Sequence, residues 1–153
     1  MSTNAEPLIL MAEDDADDRL LVSDALAECK LADRLRFVED GEDLMNYLQR
    51  LGKYAAPDTA PRPGLILMDL NMPRKDGREA LREIRARPEL RRIPVVVFTT
   101  SKADTDIRII YDLGGNSFIS KPVAFDALVT VMAALTRYWF EIVELPETNG
   151  EKA

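Results

Sequence analysis

The chain has 153 residues, with 20 Lys and Arg against 27 Asp and Glu and a formal charge of −7, a length that suits one domain with its own core. It contains no histidine, which excludes a Ser-His-Asp or Cys-His nucleophile pair, an H-E-x-x-H zinc site and a phosphohistidine on this chain. The acidic balance argues against a nucleic-acid partner, because nothing gathers the positive surface that phosphates need.

The start, Met1 to Pro7, is polar and lacks a basic n-region, and no apolar run approaches the ~18 residues of a membrane span. No membrane partner and a cytoplasmic location are therefore expected. Leu8-Ile9-Leu10-Met11-Ala12 is continuously apolar, as in a strand buried on both faces. Val22, Ala25, Leu26 and Cys29 follow at helical spacing. The lone Cys29 has no internal disulfide partner, which fits a reducing compartment, and it reads as helix packing rather than a redox thiol. Leu35 to Val38 is a weaker strand, broken by Arg36, and Leu44, Tyr47, Leu48 and Leu51 predict the second helix.

Lys53 to Gly64, with Pro57, Pro61 and Pro63, reads as a long surface loop on the side away from the strand carboxyl ends. Leu65 to Met68 is a second fully buried strand. Leu81 and Ile84 mark a helix that Pro88 closes, and the basic stretch Arg82, Arg85, Arg87, Arg91 and Arg92 is expected to be a solvated face. Val95 to Phe98 is the third strong strand. Ile107, Ile110 and Tyr111 mark a helix ended by Gly114-Gly115, where a left-handed cap is wanted. Ser117 to Ser120 is a short strand, and Ala124 to Val143 is the last and longest helix, followed by a polar tail over 144–153.

Five β-then-α units imply an α/β fold with a parallel sheet, right-handed crossovers and helices on both faces. The three apolar runs want central places and the two weaker strands suit the edges. That is the doubly wound, flavodoxin-like order 2-1-3-4-5, with five helices in a single domain over 1–153 and a core at about 8–143. No G-x-G-x-x-G follows the first strand, so a dinucleotide has no support.

Ligands of such sheets bind outside the strand carboxyl ends. There the first strand runs into Glu13, Asp14 and Asp15, the third into Asp69, the fourth into Thr99, Thr100 and Ser101, and the fifth into Lys121-Pro122. Neighbouring strands lie ~4.8 Å apart, so the acids of the first and third become neighbours. Clustered carboxylates without histidine or thiolate make a hard, all-oxygen site suited to Mg²⁺. Each residue also has a plainer role. Asp17 and Asp18 suit a helix N-terminus, Asp69 suits a strand-end turn, Thr99 a cap, and Lys121 a surface charge. Their coincidence at one sheet edge is what points to a site.

Glu13-Asp14, the run Asp69-Leu70-Asn71-Met72-Pro73 with Asp76-Gly77, Thr99 closing a strand, and Lys121-Pro122 together resemble the receiver domain of bacterial two-component response regulators. The resemblance covers about Leu8 to Val143. The loop before the third strand and the Tyr138-Trp139-Phe140 helix end are similar to single-domain regulators that accompany phytochrome kinases. The resemblance implies that Asp69 accepts a phosphoryl group from a sensor histidine kinase, here a bacteriophytochrome. It implies that Glu13, Asp14, Asp69 and the Asn71 carbonyl hold Mg²⁺, and that Lys121 pairs with Asp69 and then with the phosphoryl oxygens. It further implies a cis Lys121–Pro122 peptide. Thr99 then turns its hydroxyl toward the phosphoryl group while Phe118 rotates from exposed to buried. Glu13 stands where many receivers have Asp, and Phe118 replaces a frequent tyrosine.

Apolar residues cover roughly 200° of the last helix, where about 100° suffices for packing on a sheet. This excess predicts a homodimer through the α4-β5-α5 face, with Val131, Leu135, Tyr138, Trp139 and Ile142 at the interface. Other function classes fare less well. A haloacid-dehalogenase-type phosphatase needs an acid where Asn71 stands. The acids from Glu13 to Asp17 would repel a flavin phosphate, and an intact Asp69, Thr99 and Lys121 argue against an inert scaffold. Separate substrate turnover is not expected.

Overall fold

A computed structural model describes residues 7–146. The polar start before Pro7 and most of the tail expected over 144–153 lie outside the described residues. In chain order the elements are β1 (Ile9–Ala12), α1 (Ala16–Glu28), β2 (Leu35–Val38), α2 (Gly41–Gln49), β3 (Leu65–Met68), α3 (Gly77–Ala86), β4 (Val95–Thr99), α4 (Asp104–Asp112), β5 (Ser117–Ser120) and α5 (Phe125–Arg137). Every strand pairing is parallel and the order is β2-β1-β3-β4-β5. The apolar strands are central and the mixed ones lie at the edges, as their compositions require.

Because successive strand residues face opposite sides of a sheet, each central strand feeds two cores. Leu10, Ala12, Ile66, Met68, Val95 and Val97 pack with Leu44, Leu48, Leu81, Ile84 and Ile110 of α2, α3 and α4. Ile9, Met11, Leu65, Leu67, Val96 and Phe98 pack with Val22, Leu26, Leu128 and Met132 of α1 and α5. This covers the sheet on both faces and leaves its ends for polar groups.

The helix starts bring polar residues to the carboxyl end. Asp15 caps α1, its Oδ1 accepting from the backbone N–H of Asp17 at 2.8 Å and Asp18 at 3.2 Å. Asp40 caps α2, and Asp76 forms a reciprocal capping box with Glu79 at α3. A Cβ at Gly77 would lie 2.5 Å from the Asp69 carbonyl oxygen, so α3 begins directly against the end of β3 only because this position is glycine.

The helix ends differ from the sequence expectation in two places. Arg50 enters the left-handed region at φ 57° and stops α2, which leaves Leu51 outside the helix and half exposed. The last helix does not run as one α-helix to Val143. It is α-helical to Arg137 and then opens into a π turn over Tyr138–Ile142, closed by the Val143 N–H donating to the Tyr138 carbonyl at 3.0 Å. Bulky Tyr138, Trp139 and Phe140 fall together in that wider turn, and Trp139 and Phe140 still reach the core of α1 and α5. Gly114, at φ 99°, supplies the left-handed turn expected after α4.

Candidate functional site

The backbone carries the site residues one step past the strands. Glu13 N–H donates to the Val38 carbonyl at 3.0 Å, Asp69 N–H to Ala12 at 3.1 Å, and Lys121 N–H to Thr99 at 2.7 Å. These bonds extend the ladders β1–β2, β3–β1 and β5–β4 by one rung, so the side chains project from rigid positions. Glu13, Asp69 and Thr99 are buried, whereas Asp14 is exposed.

The Lys121 ammonium is the centre of the arrangement. Its Nζ donates to Glu13 Oε1 at 2.7 Å, Asp18 Oδ2 at 2.7 Å and Asp69 Oδ2 at 3.0 Å, which uses the three donors an ammonium has. Burial alone would lower the Lys121 pKa, but the bonds to Asp18 and Glu13 and the charge of Asp69 more than reverse it, and the pKa is raised. Glu13 is shifted upward because burial penalises its charge more than Lys121 favours it. The other Glu13 oxygen accepts from the Asp15 N–H at 3.1 Å, and Asp69 Oδ1 accepts from the Leu70 N–H at 2.7 Å.

The structure brings Glu13, Asp14 and Asp69 together, with one carboxylate oxygen from each within 4.8 Å of the others. A Mg²⁺ ion holds its oxygen ligands at ~2.1 Å, so the three oxygens would draw inward to share one ion, and the exposed Asp14 has room to move. The donor set is all oxygen and open to solvent on the Asp14 side, which fits a hard divalent ion that keeps water ligands. Thr99 Oγ1, at the end of β4, is buried without a hydrogen-bond partner, so the pocket retains unused hydrogen-bonding capacity.

These observations together decide the family, whose model matches residues 9–133 under the description response regulator receiver domain. The chain belongs to that family. Response regulator Rcp1 of Synechocystis sp. is 40% identical over 144 residues, which are 94% of this chain and 96% of that protein. The crystal structure of the phosphorylated cyanobacterial phytochrome response regulator RcpA is 40% identical and superposes with a TM-score of 0.85, covering 94% of this chain and all of that one (100%). The Mn²⁺-bound form of Rcp1 is likewise 40% identical, with a TM-score of 0.81 over 92% of this chain and 99% of that one. This receiver domain is therefore a homologue of phytochrome response regulators.

Three expectations need correction. No peptide among the described residues is cis, so Lys121–Pro122 takes the trans form that even prolyl bonds prefer, and Lys121 reaches the acids from it. Asp18 is more than a helix-end charge, since it is the third carboxylate on Lys121. Its place in the first turn of a helix that starts at a strand's carboxyl end was the available signal. Arg85 is not part of a solvated face. Its guanidinium is half-buried and donates to the carbonyls of Gly114, Arg91 and Ile93 and to Asn116 Oδ1 at 2.9–3.1 Å.

Phe118 is partly buried against the core of α2, α3 and α4. Leu135 is in the α1–α5 core, Val131 and Trp139 pack partly on it, and Tyr138 and Ile142 are 49% and 58% exposed. No helix among the described residues is long and apolar enough to cross a membrane.

Proposed function

We propose that Asp69 accepts a phosphoryl group from the phosphohistidine of a sensor histidine kinase, a bacteriophytochrome, and that the chain signals by protein contact as a single-domain regulator. The observation that carries this reading is the meeting of Asp69 with Glu13 and Asp14 in one acid cluster, beside a lysine ammonium that Asp69 and Glu13 share with Asp18. An Asp69 oxygen forms a bond to phosphorus as the bond from phosphorus to the imidazole nitrogen breaks, and the imidazole leaves with that electron pair. Lys121 neutralises charge that otherwise opposes an anion attacking an anion. Glu13, Asp14, Asp69 and the Asn71 carbonyl would hold Mg²⁺, which supplies further charge neutralisation when bound.

Thr99, whose hydroxyl is free of protein partners, donates to the new phosphoryl group, and Phe118 moves further into the core beside it. The missing histidine is consistent with this division of labour, because the donor imidazole belongs to another protein. The match to nearly the full length of Rcp1 supports the single-domain reading, and the phytochrome wording attached to RcpA supports the choice of kinase. The protein takes part in its own phosphorylation and dephosphorylation without a separate substrate.

The half-exposed Tyr138 and Ile142 of the π turn, with Tyr111 (51% exposed) on α4, favour a homodimer through α4, β5 and α5. Leu135, which is satisfied inside its own core, contributes least. Incubation with acetyl phosphate and Mg²⁺ tests both readings, with intact mass for the adduct and sedimentation for the assembly state. Wild type is expected to gain one phosphoryl adduct, and Asp69→Asn or chelation by EDTA to abolish it. Labelling of Asp69→Asn to the wild-type extent overturns the acceptor assignment. A monomer at micromolar concentration, with and without acetyl phosphate, overturns the dimer.

A further inference from the structure

Asp40 carries a charge that its local role does not require. Its Oδ1 caps α2 by accepting from the Asp43 N–H at 2.8 Å, and a neutral Asn, Ser or Thr caps a helix as well. Yet the residue is completely buried (0% exposed), where an unpaired carboxylate is costly. The second oxygen, Oδ2, accepts no hydrogen bond but is paired by charge with Arg74, whose Nη2 lies 2.6 Å away. Arg74 sits in the β3–α3 loop at φ 64°, a left-handed conformation that L side chains rarely adopt.

The same loop is pinned to the same helix start by its backbone. The Gly41 N–H donates to the Lys75 carbonyl at 2.9 Å, and a Cβ at position 41 would overlap that carbonyl. At its far end the loop closes on itself, the Gly77 N–H donating to the Leu70 carbonyl at 2.8 Å. Between these anchors lie Asn71, Met72 and Pro73. The pair of buried Asp40 and half-exposed Arg74 therefore holds a segment that begins two residues after Asp69 and includes Asn71.

We propose that the Asp40–Arg74 ion pair is a positioning device for the divalent-metal site, fixing the β3–α3 loop so that the Asn71 carbonyl is held toward the Glu13–Asp14–Asp69 acids. The inference rests on the metal reading above. Neither residue is a metal ligand. Both act through the loop, in the manner of the outer groups that orient ligands in metal sites.

The test is Mn²⁺ titration followed by the electron paramagnetic resonance of the free ion. The variant is the double substitution Asp40→Asn with Arg74→Gln, which leaves the net charge unchanged and keeps a capping side chain at position 40. Mn²⁺ affinity is expected to fall about tenfold, within the range that outer groups command. The exposed partners of Arg74, Glu39 and Glu42 at 3.6 and 3.7 Å, supply the control: Glu39→Gln with Glu42→Gln is expected to stay within about twofold of wild type, because a rim charge is screened.

If the double variant does not fold, Arg74→Lys, which keeps a cation opposite Asp40 without the planar fork, is read instead. Its affinity is expected to fall about threefold. Wild-type affinity in the folded double variant, or in Arg74→Lys where that is the variant read, overturns the proposal. Wild type that takes neither Mn²⁺ nor a phosphoryl label fails the reading of the site itself, a different result from variants that match a competent wild type.

Discussion

The two ends of the sheet solve the problem of buried polar groups in opposite ways. At the amino end, long side chains find neutral backbone acceptors. Tyr47 Oη donates to the Pro61 carbonyl at 2.7 Å, Arg50 to Ala60 at 3.2 Å, Arg62 to Leu48 at 2.5 Å, and Arg85 to three carbonyls and Asn116. At the carboxyl end, three carboxylates share one ammonium, a fourth stands in solvent beside them, and a threonine hydroxyl has no partner. The amino end leaves one buried donor, the Arg34 Nε, without a hydrogen-bond partner, whereas the other end leaves both charge and hydrogen-bonding capacity over. Surplus of this kind is expected where a site awaits a ligand.

The most forceful way to break this comparison is to remove the shared cation. Lys121→Met leaves Glu13 buried among like charges, and breaking a buried pair in this way costs about 3–5 kcal/mol. The loss is pH-dependent. Burial first of all raises the Glu13 pKa above its ordinary 4.5. Such a group stabilises the fold when protonated, fully so below the unfolded value, and that contribution is lost as pH rises through the folded value. Removing Lys121 takes away the interactions that favour ionised Glu13 and raises its pKa further. The deficit of Lys121→Met, measured by denaturant unfolding, is therefore expected to be large at pH 7 and to shrink as pH falls toward 4.5. A deficit that is constant with pH would mean that Lys121 acts by packing and not by charge.

A smaller effect comes from the amino end. Arg85→Met removes four hydrogen bonds that tie α3 to the segments entering β4 and β5, and about 2 kcal/mol of stability is expected to go with them. Labelling by acetyl phosphate is expected to be unchanged. A loss of labelling in folded Arg85→Met would show that the two ends are coupled and that the contrast between them is wrong.

The same contrast governs how much could be read from the sequence. The sheet order followed from Leu8–Ala12, Leu65–Met68 and Val95–Phe98, because an uninterrupted apolar strand has only central places open to it. The acid cluster was legible for the same reason, since parallel strands put Glu13 and Asp69 at one edge whatever the side chains do. Residues whose role depends on what a long side chain reaches were not legible. Arg85 and Arg82 look alike in sequence, and only the close approach of the Gly114–Asn116 segment to α3 separates them. Asp18 looked like one more acid in a helix start. Its role depends on Lys121, 103 residues away, and on the depth to which that lysine is drawn in. The π turn at Tyr138 was hidden because its residues keep helical spacing up to the turn itself.

The mildest change bears most directly on the surplus at the carboxyl end. Thr99 is wholly buried and its hydroxyl has no partner, whereas its backbone carbonyl accepts from the Lys121 N–H at 2.7 Å. Valine has nearly the same shape and β-branching, so Thr99→Val keeps the strand and its ladder while removing the unsatisfied group. Relieving an unpaired buried hydroxyl is expected to add about 1 kcal/mol, a rise of about 2–4 °C in Tm for a chain of this size. Acceptance of phosphate at Asp69 is expected to continue in this variant. The movement of Phe118 proposed to follow phosphorylation, monitored by its ring proton resonances, is expected to be lost. A protein destabilised by Thr99→Val would place the hydroxyl among the satisfied groups of the fold. A stabilised one that no longer moves Phe118 shows a group kept at a cost to the resting state because the phosphorylated state uses it.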